Sequence, residues 1–279
     1  MFAVPCEKRY PEHLLVLALF DTKELEELIA VCLREFYKRR IHKLSEIRLR
    51  PFLARKNPYL FRARAVEKAS ELIEQLLFAH LQASDETIFG DVFFEPIAKV
   101  ASGAVVSPAP GLDFAIESET RYTAVAMKSG PNIFNASQKR RQSDEFNSIR
   151  ARLHKVQKQF DPLLAHAYGR LNTEPDKFRT YRDRSGQAFW TEVTGDSDFY
   201  LKLIRLMADE PLRRQEEFEL AWGALVNRFT AEFVLDFCFE DGRIDWEKLT
   251  QFVSAKVRPS LPRRKRLTGN AESNEDSSA

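Results

Sequence analysis

The chain has 279 residues, enough to bury a sizeable core in one large domain or two smaller ones. Its 43 lysines and arginines against 41 aspartates and glutamates leave a net charge of +2, which excludes a globally basic field and confines any nucleic-acid surface to a local patch. Cys6, Cys32 and Cys238 lie far apart with no CxxC pair, which argues against a disulfide framework or a structural zinc site and suits a reducing cytoplasm.

The apolar run 14–20 is too short to span a membrane. Glu7, Glu12 and Asp21 around it speak against a signal peptide. Residues 21–47 read as an amphipathic helix, with Leu25, Leu28, Ile29, Cys32, Leu33 and Phe36 at helical spacing. Residues 48–68 carry Arg48, Arg50, Arg55, Lys56, Arg62, Arg64 and Lys68 against one acid, Glu67, with Phe52, Tyr59 and Phe61 interleaved. Cations alternating with aromatics can track a phosphate backbone. The same segment also reads as a solvated connector.

A second helix is expected over 62–83. A third starts from the Ser84-Asp85 pair and runs through Phe89, Val92, Phe93 and Ile97. Glu86, Asp91 and Glu95 ride on it. Gly90 lies inside it, at a cost of about 1 kcal/mol relative to alanine, and reads either as close packing or close approach of another backbone or as simple tolerance. Residues 102–110 form a loop of small residues and proline. Two short strands follow within 111–128, then a basic helix over 136–157, a strand at 163–168 and a loop-like stretch over 176–196. Further helices are expected over 198–207 and 216–239, the latter with Phe218, Ala221, Leu225, Phe229, Phe233 and Leu235 on its apolar face. Residues 256–279 have the composition of a disordered tail.

The chemistry concentrates at 111–138. If the turn between the two strands centres near Glu119, facing residue numbers sum to about 238–240. Asp113 then lies opposite Ala126, with Lys128 one step along on the same face. A carboxylate beside a lysine suits phosphodiester hydrolysis. The acid holds a hard divalent cation, and the lysine orients or deprotonates water and stabilises the charged transition state. The same pair also reads as a surface ion pair worth under about 1 kcal/mol. Glu117, about 13 Å along the strand from Asp113, is too far to share a cation.

The run Lys128-Ser129-Gly130-Pro131-Asn132, then Asn135-Ala136-Ser137-Gln138, resembles the motif of PmeII-type restriction endonucleases in the PD-(D/E)XK nuclease superfamily. Residues 56–63, 86–91 and 111–113, Tyr168-Gly169-Arg170 and 186–190 are similar to that family in the same order, over about residues 20–240. The resemblance implies an α/β (α+β) fold, with a restriction-endonuclease-like core of a small mixed sheet flanked by helices and a helical N-terminal region. The division expected is 1–83, 84–255 and a tail at 256–279. It also implies a Mg²⁺-dependent type II enzyme that cuts double-stranded DNA as a homodimer, with a DNA methyltransferase as its genetic partner; the cysteine usage and the short apolar run point to the cytoplasm and no membrane association.

By that resemblance Asp113 is the metal-binding aspartate and Lys128 the lysine of the motif. The pattern expects an acid two residues before the lysine, where this chain has Ala126. Either Glu86 or Asp91, from the preceding helix, completes the metal site, or activity is impaired. Expected DNA contacts are Lys56, Arg62, Arg64, Asn132, Asn135, Ser137 and Gln138. A repair or defence nuclease and a DNA-binding homologue with a decayed site are the competing functions.

Overall fold

A computed structural model of the chain describes residues 22–106, 111–130, 135–152, 158–177 and 179–256. Residues 257–279 of the tail and residues 153–157, at the end of the expected basic helix, lie outside the described residues. Contacts divide the chain into two units, Met1–Glu46 with Leu76–Leu225, and Ile47–Gln75 with Val226–Ala279.

The first unit contains a five-stranded mixed sheet in the order β1-β2-β3-β4-β5. The strands are β1 Val105–Val106, β2 Phe114–Glu117, β3 Arg121–Lys128, β4 Gln159–His166 and β5 Arg182–Ser185. The first three are antiparallel neighbours, whereas β3–β4 and β4–β5 run parallel. The helices of this unit include α1 (Thr22–Glu46) and α5 (Glu95–Ala101), then α6 (Ala136–Arg152), which connects β3 to β4, α7 (Gln187–Thr194) and α8 (Phe199–Met207). Two more helices belong partly to it, α4 (Ala69–Phe89) and α9 (Glu210–Phe237). This mixed sheet flanked by helices is a restriction-endonuclease-like core.

Period-two alternation in the strands sorts the core into two layers. Phe114, Val125, Met127, Leu163 and Ala165 pack with Leu25, Ile29, Phe93, Ile97, Phe189, Trp190 and Leu203. On the other face Ala115, Ala124, Ala126 and Leu164 pack with Phe146 and Ile149 of α6 and with Tyr181. Helices cover both faces, so β3 is buried from Tyr122 to Met127. The pairs Phe114↔Val125 and Ala115↔Ala124 sum to 239, as the expected turn requires.

In the second unit α2 (Leu49–Leu53), α3 (Pro58–Ala63) and α10 (Trp246–Ser254) join the start of α4 and the end of α9. Asn57 caps α3 through the Leu60 N–H, and Asp245 caps α10 through the Lys248 N–H. Arg50 grips the buried carboxylate of Asp236 through two bonds of 3.0 and 3.2 Å.

Several expectations change. The second and third expected helices are not divided at 84. Arg62 belongs to the last turn of α3, which ends at Ala63, Ala65 takes φ +55° after it, and α4 then runs unbroken from Ala69 to Phe89. Asp85 turns to the Arg40 guanidinium (2.8 Å) instead of capping a new helix. The strand expected at 163–168 starts at Gln159 and ends at His166. Part of the loop expected at 176–196 is β5 and α7, since the charges of β5 are paired: Arg182 with Asp161 and Glu192, and Asp183 with Arg179. Helix α9 begins at Glu210, six residues before its expected start. It buries Phe237 and leaves Leu235 exposed. Helix α10 lies outside every expected helix.

Candidate active site

Asp113 does not sit within the ladder as expected. Strand β2 starts at Phe114, and the Asp113 N–H donates to Val125 O at 3.0 Å. The regular antiparallel ladder would bring it to Ala126. This one-residue offset lets the Asp113 carboxylate turn along β3, where Oδ2 accepts from the Met127 N–H at 2.6 Å. Oδ1 keeps no hydrogen-bond partner among the described residues. Burial pushes the carboxyl above its usual range. The Met127 bond opposes that shift, Glu95 adds to it, and Lys128 and Lys99 counter it.

Asp113 and Lys128 line one cavity of about 490 Å³, together with Met127, Ser129, Gly130 and Tyr168. Glu86, Thr87, Gly90, Asp91, Phe94 and Glu95 form its helical wall. Three of the expected site residues besides Lys128 therefore meet there: Asp113, Glu86 and Asp91. Glu95, which the sequence placed on the helix without a role, joins them. It pairs with Lys99, one helical turn on. Among the described residues no group of three or more His, Cys, Asp or Glu side chains is close enough to hold a metal ion.

The wall owes its shape to a π-helical turn, Gly90–Phe94, between α4 and α5. Glu95 lies nine positions after Glu86. At about 100° per residue in an α-helix they would point to opposite sides. A π turn takes more residues per revolution, and with it both carboxylates border the same cavity. Gly90 opens this turn at a point of close approach. A Cβ there would overlap the Ser129 hydroxyl, which donates to the Glu86 carbonyl at 3.1 Å. Gly130 is similarly tight, because the Tyr168 ring lies against it. The Tyr168 hydroxyl reaches Glu86 Oε2 at 3.4 Å. Tyr168, Glu86 and Phe94 also border a second, aromatic cavity of about 400 Å³ lined by Phe36, Phe78 and Phe89.

Ala126 is 2 % exposed. It packs in the layer under α6 and does not line the cavity. A carboxylate there would be surrounded by Ala115, Ala124, Leu164 and Phe146.

The expected DNA contacts separate. Asn132 lies outside the described residues. Asn135 and Gln138 form a reciprocal cap on α6: Asn135 Oδ1 accepts from the Gln138 N–H (2.9 Å), and Gln138 Oε1 accepts from the Asn135 N–H (3.0 Å). The Ser137 hydroxyl donates to Asn135 Oδ1 at 2.6 Å. Lys56, Arg62 and Arg64 belong to the second unit. Arg62 and Arg64 are exposed. Lys56 is partly buried with its ammonium 4.3 Å from the Phe52 ring centre, and burial lowers its pKa.

No helix among the described residues is long and apolar enough to cross a membrane. Among curated proteins none matches the chain. The family of the type II restriction endonuclease EcoO109I matches residues 23–215, a span that holds the sheet, the π turn and every residue lining the cavity. The chain belongs to the type II restriction endonuclease family typified by EcoO109I.

Proposed function

We propose that the chain is a metal-dependent type II restriction endonuclease that hydrolyses double-stranded DNA at a short specific site. The convergence of Asp113, Glu95 and Lys128 on one cavity carries this reading. The donor set fits a hard divalent cation such as Mg²⁺. It offers carboxylate oxygens, and the Asp113 charge is disfavoured by burial and by Glu95, a cost that a cation relieves. Asp113 and Glu95 would hold the ion, with Glu86 and Asp91 on the same wall. When bound, the ion polarises the scissile phosphate and acidifies water. Lys128 stabilises negative charge on the phosphate and orients the attacking water. Glu95 takes the place of the acid missing at Ala126.

The narrower likeness to PmeII-type enzymes, a homodimer that cuts both strands, cytoplasmic action and a protecting methyltransferase encoded nearby belong to the same proposal. DNA contacts at Lys56, Arg62, Arg64, Asn132, Asn135, Ser137 and Gln138 belong to it as well. Purified protein with Mg²⁺ is expected to cut plasmid DNA into discrete bands, and Lys128→Ala or Asp113→Ala to abolish cutting while DNA is still bound. A smear would favour a repair or defence nuclease. No cleavage with any divalent ion would favour a DNA-binding homologue. Full cleavage by both variants would refute the site.

A further inference from the structure

A buried histidine stands beside the site without a part in the proposed chemistry. His166 ends β4, pairs with Lys128 in the parallel ladder, and is 0 % exposed. Its Nδ1 lies 2.9 Å from the carbonyl oxygen of Gly130, and its Nε2 lies 3.5 Å from Asp183 Oδ1.

Both partners are acceptors. A carbonyl oxygen has no proton to give, and an ionised carboxylate has none either. Asp183 is kept ionised. Burial raises its pKa, but hydrogen bonds from His166 and Thr173 and the charge of Arg179 hold it below the usual carboxylate range. Arg179 donates to Asp183 Oδ2 at 2.6 Å, and the Thr173 hydroxyl donates to the same oxygen. A neutral His166 would therefore turn one nitrogen lone pair onto an oxygen lone pair, in a place with no exposure to water.

The same contacts fix the chain beyond the lysine. The Ala167 N–H donates to Lys128 O at 3.0 Å, and the Tyr168 N–H donates to Ser129 O at 3.1 Å. The His166 ring takes the next carbonyl, that of Gly130. Three successive carbonyls after the lysine side chain are thus held by three successive residues of one strand end. Gly130 has no side chain with which to hold its own place.

We propose that His166 donates from both ring nitrogens, and that it acts as the positioning residue for Lys128 by pinning the Gly130 carbonyl to Asp183. The positioning role rests on the nuclease reading of Lys128, whereas the double donation does not. Other charged groups around it are Lys128 on β3 and Arg179 beyond Asp183. Arg184 on β5 is engaged by Glu174 and Glu192.

Two measurements test it. In protein labelled with ¹⁵N-histidine, long-range ¹H–¹⁵N spectra in the cleavage buffer are expected to show one ring with both nitrogens protonated. That signal should vanish in His166→Gln. A neutral-ring pattern for His166 would overturn the double donation. Among variants, His166→Asn places an amide N–H₂ where Nδ1 stood and keeps the Gly130 bond. His166→Gln places it where Nε2 stood and loses that bond. His166→Asn is expected to keep cleavage within about threefold. His166→Gln is expected to lose about tenfold to a hundredfold in kcat, with KM for DNA unchanged. Equal losses in both variants, tracking a common drop in thermal stability, would make His166 structural and overturn the positioning role. A wild-type protein that cuts nothing would sink the nuclease reading and the positioning role with it, while the spectrum would still decide the proton count.

Discussion

Gly130→Ala tests how tightly the segment after Lys128 is packed. Gly130 is buried and has no positive φ, so the effect of a methyl group there is steric. The new Cβ would overlap Cζ, the hydroxyl oxygen and Cε2 of Tyr168. Those atoms belong to a rigid ring, so the whole side chain must swing outward. Tyr168 is 48 % exposed. About half of a side chain of roughly 200 Å² would lose its cover, some 100 Å². At about 25 cal/mol per Å² that is about 2.5 kcal/mol if the ring leaves altogether. Overpacked cores lose about 1–3 kcal/mol. Urea unfolding of Gly130→Ala is therefore expected to show a loss of about 1–3 kcal/mol with an unchanged slope. Cleavage should fall too, since Tyr168 would release Glu86. The decisive comparison repeats the substitution in a Tyr168→Ala background. With the ring gone, the methyl group should cost almost nothing, and the coupling between the sites should match the single-variant loss. The same loss in both backgrounds would place the strain in the backbone and refute the argument.

Three other outcomes are expected. Asp113→Asn should make the metal-free protein more stable at neutral pH, because the raised carboxyl pKa means that ionising Asp113 opposes folding. The gain should be absent below the unfolded carboxylate pKa of about 4 and complete once pH exceeds the folded value, as thermal unfolding across pH would show. Adding Mg²⁺ should stabilise the wild type and leave the variant unchanged. Arg182→Met should cost about 3 kcal/mol by leaving Asp161 and Glu192 with only the more distant guanidinium groups of Arg121 and Arg184. Arg182 holds the Asp161 carboxyl below its usual range against the effect of burial. Its stabilisation is lost as pH falls through the folded pKa, and the variant's acid limb should be flatter. Asn135→Ala should cost about 1 kcal/mol in urea unfolding by uncapping α6.

The hairpin register could be read from the sequence because side-chain alternation and a short polar turn leave few ways to pair β2 with β3. Helix α1 could be read because its apolar residues recur without interruption. The close approach at Gly90 was likewise signalled by a glycine inside an apolar helix. Other features depend on partners distant in sequence. Strand β5 has no apolar pattern, and its charges become compatible with burial only once Asp161, Arg179 and Glu192 arrive. Pro162 breaks the pattern of β4, so only its apolar end stood out. The offset at Asp113 is a backbone event with no composition of its own. Glu95 was visible as an acid, but an ideal helix turns it away from Glu86. Its place in the cavity depends on the π turn, which nothing in its residue types announces.

That wide turn makes the helical segment a rod with two independent phases. Upstream, the phase sets which side Glu86 presents. Downstream, it sets the side that carries Ile97, Ala98 and Ala101 into the core. Forcing Gly90–Phe94 into ordinary helical geometry with its five residues kept would rotate everything beyond by roughly 100°, the angle that one residue adds to an α-helix. Those apolar residues would leave the sheet, and Glu95 would leave the cavity. What the turn stores is a count: it absorbs about one residue more than an ordinary turn, so losing one there would straighten the helix and keep the two phases aligned, whereas gaining another would rotate everything beyond it.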